Sequence, residues 1–157
     1  MGQQTIEVGK VYLNALPPYN KVMRNLYVGS VNALQHANKF DVIVNMAKEI
    51  NTKKLGVPVV KVGLRDSIDA PLRYGNASAR RVDEMAEQIA HWMNMGKKVL
   101  VICHAGLNRS NLMVGTVLLK MGYDPATIIA RLRKRSPLVL SNQSFERFLY
   151  EAHERGL

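Results

Sequence analysis

The stretch Lys98-Val99-Leu100-Val101-Ile102-Cys103-His104-Ala105-Gly106-Leu107-Asn108-Arg109-Ser110 decides how this chain is read. Its first five residues are apolar and β-branched after Lys98, the pattern of a strand buried on both faces. An apolar helix follows from about Arg109 to Met121, so Cys103 falls where a strand hands over to a helix. Successive backbone N–H groups in such a tight loop can converge on one anion, and the helix N-terminus adds partial positive charge. Gly106 lets the backbone approach an anion closely. Arg109 brings a planar fork able to bind two phosphate oxygens at once. The donors that hold an anion would also favour a Cys103 thiolate, the nucleophilic form, and Ser110 can hydrogen-bond the sulfur as it leaves. A lone cysteine more often ends a core strand as a small buried residue. The combined spacing of Cys103, Gly106, Arg109 and Ser110 argues for chemistry instead.

Outward from this stretch, helices alternate with buried strands. Asn25 to Gly29 reads as a short strand, and Ser30 as the cap of a helix running through Asn38. Residues 41–46 and 57–62 are further buried strands. Val82, Met85, Ala86, Ile89, Ala90 and Met93 recur at helical spacing, a helix of four to five turns that Gly96 ends. Gly122 closes the helix after the loop. Asp124-Pro125 opens another, and Ser141 or Asn142 opens a last one carrying Phe145, Phe148 and Leu149. The class is therefore α/β, a central, mostly parallel sheet flanked by helices. Residues 1–157 read as a single domain, with 1–24 an extended lead-in that includes Val11-Tyr12-Leu13 and a turn at Pro17-Pro18.

The composition sets outer limits. The 157 residues include 22 Lys and Arg against 12 Asp and Glu, a net charge of +10, with 47% apolar residues and one Cys. These are globular proportions, not those of a disordered chain. One cysteine excludes an intrachain disulfide framework and any zinc site built on several cysteines. No stretch approaches about 18 apolar residues, and the first residues lack the apolar run of a signal peptide. We read a soluble, cytoplasmic monomer with no membrane partner. The positive charge points to an anionic partner without saying which.

The stretch from Val99 to Ser110 resembles the Cys-x5-Arg-Ser/Thr signature of the cysteine-dependent protein tyrosine and dual-specificity phosphatases. The likeness in order and pattern extends through residues 25–30, 41–46 and 135–145. The resemblance implies that family's fold, phosphomonoester hydrolysis through a phosphocysteine intermediate on Cys103, and no metal or other cofactor. It implies phosphate binding by the loop His104, Ala105, Gly106, Leu107, Asn108 and Arg109, with Ser110 assisting. The substrate it implies is a phosphorylated protein: phosphotyrosine, with phosphoserine or phosphothreonine as extensions. Two positions depart from the pattern. The family usually has His before the nucleophile, where this chain has Ile102. Asn108 before the arginine is similar to the RNA 5′-triphosphatase branch, which with the basic charge makes RNA 5′-phosphates an alternative substrate. The other reading of Asn108 is a loop residue whose side chain braces the backbone. A weakly active phospho-binding module is a third reading, tied to the loss of the preceding His.

Phosphocysteine chemistry needs a proton for the leaving oxygen and then a base for water. The resemblance places that acid after the strand preceding the long helix, where Asp66 and Asp69 lie; Asp66, directly beyond the strand, is the choice. Arg131, Arg133, Lys134 and Arg135 cluster near a helix C-terminus, which the dipole favours; their functional reading is a basic wall attracting anions. Arg80 and Arg81 oppose the dipole of the long helix and could face substrate. His36, His91 and His153 have no ligand spacing. Trp92 and the methionines read mostly as helical core. Asn142 either caps the last helix or stands near the active site.

Overall fold

The computed structural model describes residues 17–52, 55–66, 72–73 and 75–156. Five strands form one sheet in the order β1-β2-β5-β3-β4: β1 (Tyr19–Met23), β2 (Leu26–Gly29), β3 (Val42–Ala47), β4 (Val59–Leu64) and β5 (Val99–Ile102). Among the described residues the β1–β2 hairpin is antiparallel and the other three pairings are parallel. β5 lies between β2 and β3, so Ile102 is level with Gly29 on one side and Asn45 on the other. Every residue of β3 and β5 is buried, as an apolar run without alternation requires of interior parallel strands.

The α-helices of the described residues are α1 (Ala77–Asn94), α2 (Arg109–Lys120), α3 (Pro125–Leu132) and α4 (Gln143–Glu154). α1 is amphipathic, burying Ala79, Val82, Ala86, Ile89 and Met93. α2 is buried all round from Arg109 to Leu119 and packs against the other three helices and the central strands. The helix that leaves the cysteine loop is thus the centre of the helical layer. Its Lys120 pairs with Asp83 of α1.

The expected caps are present: Ser30 accepts from Asn32 N–H, Asp124 from Thr127 N–H, and Asn142 from Ser144 N–H, and Asn76 also caps α1 by accepting from Ala79 N–H. Four expectations change. Residues 19–23 are a paired strand, β1, where the sequence suggested an unpaired lead-in; Val11-Tyr12-Leu13 lies outside the described residues. Val31–Lys39 is a 3₁₀ segment broken at His36, where an α-helix was expected. β4 begins at Val59, not residue 57, because Pro58 has no N–H for the ladder and contributes only its carbonyl, which accepts from Ile43. The methionines are also more dispersed than expected: Met46 is buried in a strand, and Met95 and Met121 are exposed. Among the described residues, no helix is long and apolar enough to cross a membrane.

Candidate active site

β5 ends at Ile102, which is fully buried, and the next residue, Cys103, stays buried at the floor of the loop. Its N–H donates to Gly29 O at 3.3 Å, extending the parallel ladder by one bond. Its sulfur lies 3.2 Å from Ser110 Oγ, in the first turn of α2.

The loop's carbonyls are tied outward. His104 O accepts from Val31 N–H, Leu107 O from Leu140 N–H, and Gly106 O from both Asn111 Nδ2 and Arg135 Nη1. The N–H groups of residues 104–108, by contrast, donate to no acceptor among the described residues. This polarity is what an anion-binding nest requires. The chain achieves it at Gly106, with φ of +72°, where a Cβ would come within 2.9 Å of Ser30 N. Leu140 also carries a positive φ, +57°, unusual outside glycine. Its strain is held by the Leu107 bond on one side and by Arg133 donating to its carbonyl on the other.

Arg109 is 6% exposed. Glu49, just beyond β3, takes both ends of its fork: Nη1 to Oε1 at 2.9 Å and Nη2 to Oε2 at 2.8 Å. Nη1 also donates to Leu64 O at 3.0 Å. The Nε–H is buried and unpartnered. Of five donors, three are therefore engaged, and the Nε–Nη2 edge remains for a second bidentate acceptor. Glu49 raises the guanidinium's pKa above its ordinary value, while Arg109 holds the Glu49 carboxyl down at about 2. The arginine can keep its carboxylate and bind a phosphate at the same time.

Asp66 stands two residues beyond β4 with each carboxylate oxygen held by an amide: Asn108 Nδ2 on Oδ2 at 2.9 Å and Asn142 Nδ2 on Oδ1 at 2.9 Å. Asn108 Oδ1 in turn accepts from Asn142 N–H at 2.9 Å and from Ser141 Oγ at 3.4 Å. Asn108 thus braces the Asp66 carboxylate and the start of α4, a wider role than stiffening its own loop. Asn142 fills both roles suggested for it, capping α4 with Oδ1 and reaching Asp66 with Nδ2. Asp69, the other candidate acid, lies outside the described residues. Arg80 and Arg81 turn to nearby carbonyls, of Gly75 and Val62.

Sequence reasoning missed Glu49 and the loop contacts of Arg135 and Asn111. Glu49 had a signal, because ligands in such sheets sit beyond the carboxyl ends of strands, and it follows β3 as Cys103 follows β5. Arg135 carried none, since cations at a helix C-terminus are ordinary.

A sequence profile of the dual specificity phosphatase catalytic domain matches residues 26–155. The chain is similar to a tyrosine phosphatase of Invertebrate iridescent virus 6, described there as putative, with 27% identity over 80% of this chain and 84% of that protein. Its fold is similar to that of human DUSP28, with a TM-score of 0.76 and 18% identity over 88% of this chain and 95% of that one. It is also similar in fold to OH1 from the Orf virus, described as a tyrosine phosphatase with triple substrate specificity, with a TM-score of 0.65 and 19% identity over 91% and 94% of the two chains. The chain belongs to the dual specificity phosphatase catalytic domain family and is a cysteine-based protein phosphatase.

Proposed function

We propose that the chain, acting as one catalytic domain, hydrolyses phosphomonoesters on protein side chains through a phosphocysteine intermediate on Cys103. The loop N–H groups and the Nε–Nη2 edge of Arg109 bind the three non-bridging oxygens. The Cys103 thiolate forms the S–P bond as the P–O bond breaks, and Asp66 gives its proton to the leaving oxygen. Water then attacks phosphorus, Asp66 takes its proton, and the thiolate departs toward the Ser110 hydroxyl. With Ile102 in place of the family's usual His, thiolate stabilisation rests on the loop N–H groups, the α2 N-terminus, Arg109 and Ser110.

The observation that carries this reading is the loop's polarity, carbonyls tied outward and N–H groups unengaged above a buried Cys103. Phosphotyrosine is the first substrate, with phosphoserine and phosphothreonine in the same class. The RNA 5′-triphosphatase alternative rests on Asn108 and the basic charge, and the Asn108 amide is engaged by Asp66 and Asn142. The phospho-binding alternative is opposed by a complete set of nucleophile, arginine and acid.

The test is hydrolysis of p-nitrophenyl phosphate and phosphotyrosine peptide by wild type and Cys103→Ser, with mass spectrometry of the quenched wild-type reaction. Turnover should fall at least about a thousandfold in the variant, and a phosphate adduct should map to Cys103. Hydrolysis that survives Cys103→Ser would overturn the mechanism.

A further inference from the structure

The basic residues after α3 frame a cavity that the phosphatase reading does not use. It has a volume of about 500 Å³ and lies between β1 and the C-terminal end of α3, with Asn111 of α2 at its base. Among the described residues its walls carry Lys21, Arg131, Lys134 and Arg135 and no carboxylate, and neither Cys103, Arg109 nor Asp66 lines it. None of these four cations has an ion-pair partner among the described residues, whereas Arg133 beside them is paired with Glu146 at 3.1 Å.

Two buried polar atoms without a partner belong to residues of this same wall, Arg135 Nε and Asn20 Oδ1. Reversing the Asn20 amide, which exchanges its O and N, would offer a second donor beside the first. The guanidinium groups are already fixed: Arg131 Nη2 donates to Val22 O at 2.6 Å, and Arg135 donates to Gly106 O at 2.7 Å and Pro17 O at 3.1 Å. Burial lowers the Arg135 pKa, and the nearby Cys103 opposes that shift only in part. A buried charge without a partner is costly, and an anion would offset that cost.

We propose that this cavity is a second anion site, taking a ligand that carries two or more neighbouring phosphate groups. A single phosphate would leave most of the volume empty, since cavities of this size hold small organic molecules. The exposed Lys21 and Lys134 place further charge at the rim. Arg135 and Asn111 both line the cavity and both donate to Gly106 O, so an occupant touches the backs of two groups that hold the phosphate loop. The same chemistry can arrive as a free polyphosphate or as a phosphorylated lipid headgroup.

The test titrates tripolyphosphate calorimetrically into the full chain, with excess phenylphosphonate filling the Cys103 loop. Lys21→Ala/Lys134→Ala should weaken binding at least tenfold while leaving ligand-free hydrolysis of p-nitrophenyl phosphate and the melting temperature at wild-type values. In a second arm, phosphatidylcholine vesicles with and without phosphatidylinositol bisphosphate are pelleted with the protein. Lipid-dependent pelleting lost in the double variant assigns the headgroup as the source; tripolyphosphate binding without pelleting assigns a soluble one. Equal tripolyphosphate affinity in wild type and double variant, or no binding by either probe, overturns the proposal.

Discussion

Arg109 and Arg135 approach the same loop from two sides, and their surroundings differ in one respect. Arg109 meets a carboxylate, Glu49, which takes two of its donors and raises its pKa. Among the described residues, Arg135 donates to carbonyls, Gly106 O and Pro17 O, and burial lowers its pKa against the opposing pull of Cys103. The balanced cation keeps one edge of its fork unengaged, whereas the unbalanced one holds backbone in place. Residue type alone does not distinguish them; the counter-charge does.

The sharpest way to break this contrast is to remove each arginine in turn. Arg109→Ala should lower kcat/KM for p-nitrophenyl phosphate by about 10³-fold or more, as loss of a preorganised charge on the transferring group does. Arg109→Lys should recover little, because an ammonium cannot present two parallel donors. Arg135→Ala should cost about 10- to 100-fold in kcat with KM nearly unchanged, since only the support of Gly106 O is lost. Equal losses in kcat and KM for both variants would erase the distinction.

Next in size are Asp66, the proposed acid, and its braces. Asp66→Asn should slow alkyl phosphates much more than p-nitrophenyl phosphate, whose leaving group needs less help. Asn108→Ala should show the same leaving-group pattern more weakly, as expected of a residue acting through Asp66. If Asp69→Asn produces the leaving-group effect and Asp66→Asn does not, the acid assignment moves. Asn142→Ala should add a stability loss of about 1 kcal/mol from the missing cap, read as a lower melting temperature.

The smallest effect belongs to Glu49. Its carboxyl falls from 4.5 to about 2 in the folded protein, so the Arg109 pair stabilises fully above 4.5 and loses that contribution as pH drops toward about 2. Because the Glu49 side chain is 52% exposed, screening holds the contribution to about 1 kcal/mol. Urea unfolding across that window should decline more steeply in wild type than in Glu49→Gln. Parallel curves would mean that the pair contributes nothing.

The strand-loop-helix around Cys103 was legible because covalent spacing fixes it: five residues separate Cys103 from Arg109 whatever the rest of the chain does. The strands β3 and β5 were legible from their unbroken apolar runs, and the caps Asp124 and Asn142 from local chemistry. What the sequence could not show was long-range company. Glu49 reaches Arg109 because the parallel sheet gathers its strand ends on one side, and Asn142 reaches Asp66 because α4 starts beside the strand end that carries it. The β1 hairpin was hidden for another reason: Asn20, Lys21 and Arg24 interrupt its apolar residues, and its turn passes through Asn25 at a φ of +69°, which no Asn-Gly pair announces.

The meeting of Gly29 and Gly106 has a consequence for how the protein is made. A Cβ on Gly29 would lie 2.6 Å from Pro18 O, and one on Gly106 would press on Ser30 N and on the Gly29 backbone. The loop is thus moulded against the end of β2, a strand far from it in the chain, and the two meet only once β2 and β5 have paired. Parallel pairing across such a distance is slow. During refolding, helical signal should therefore return before phosphatase activity, and the interval between them times the closing of the sheet.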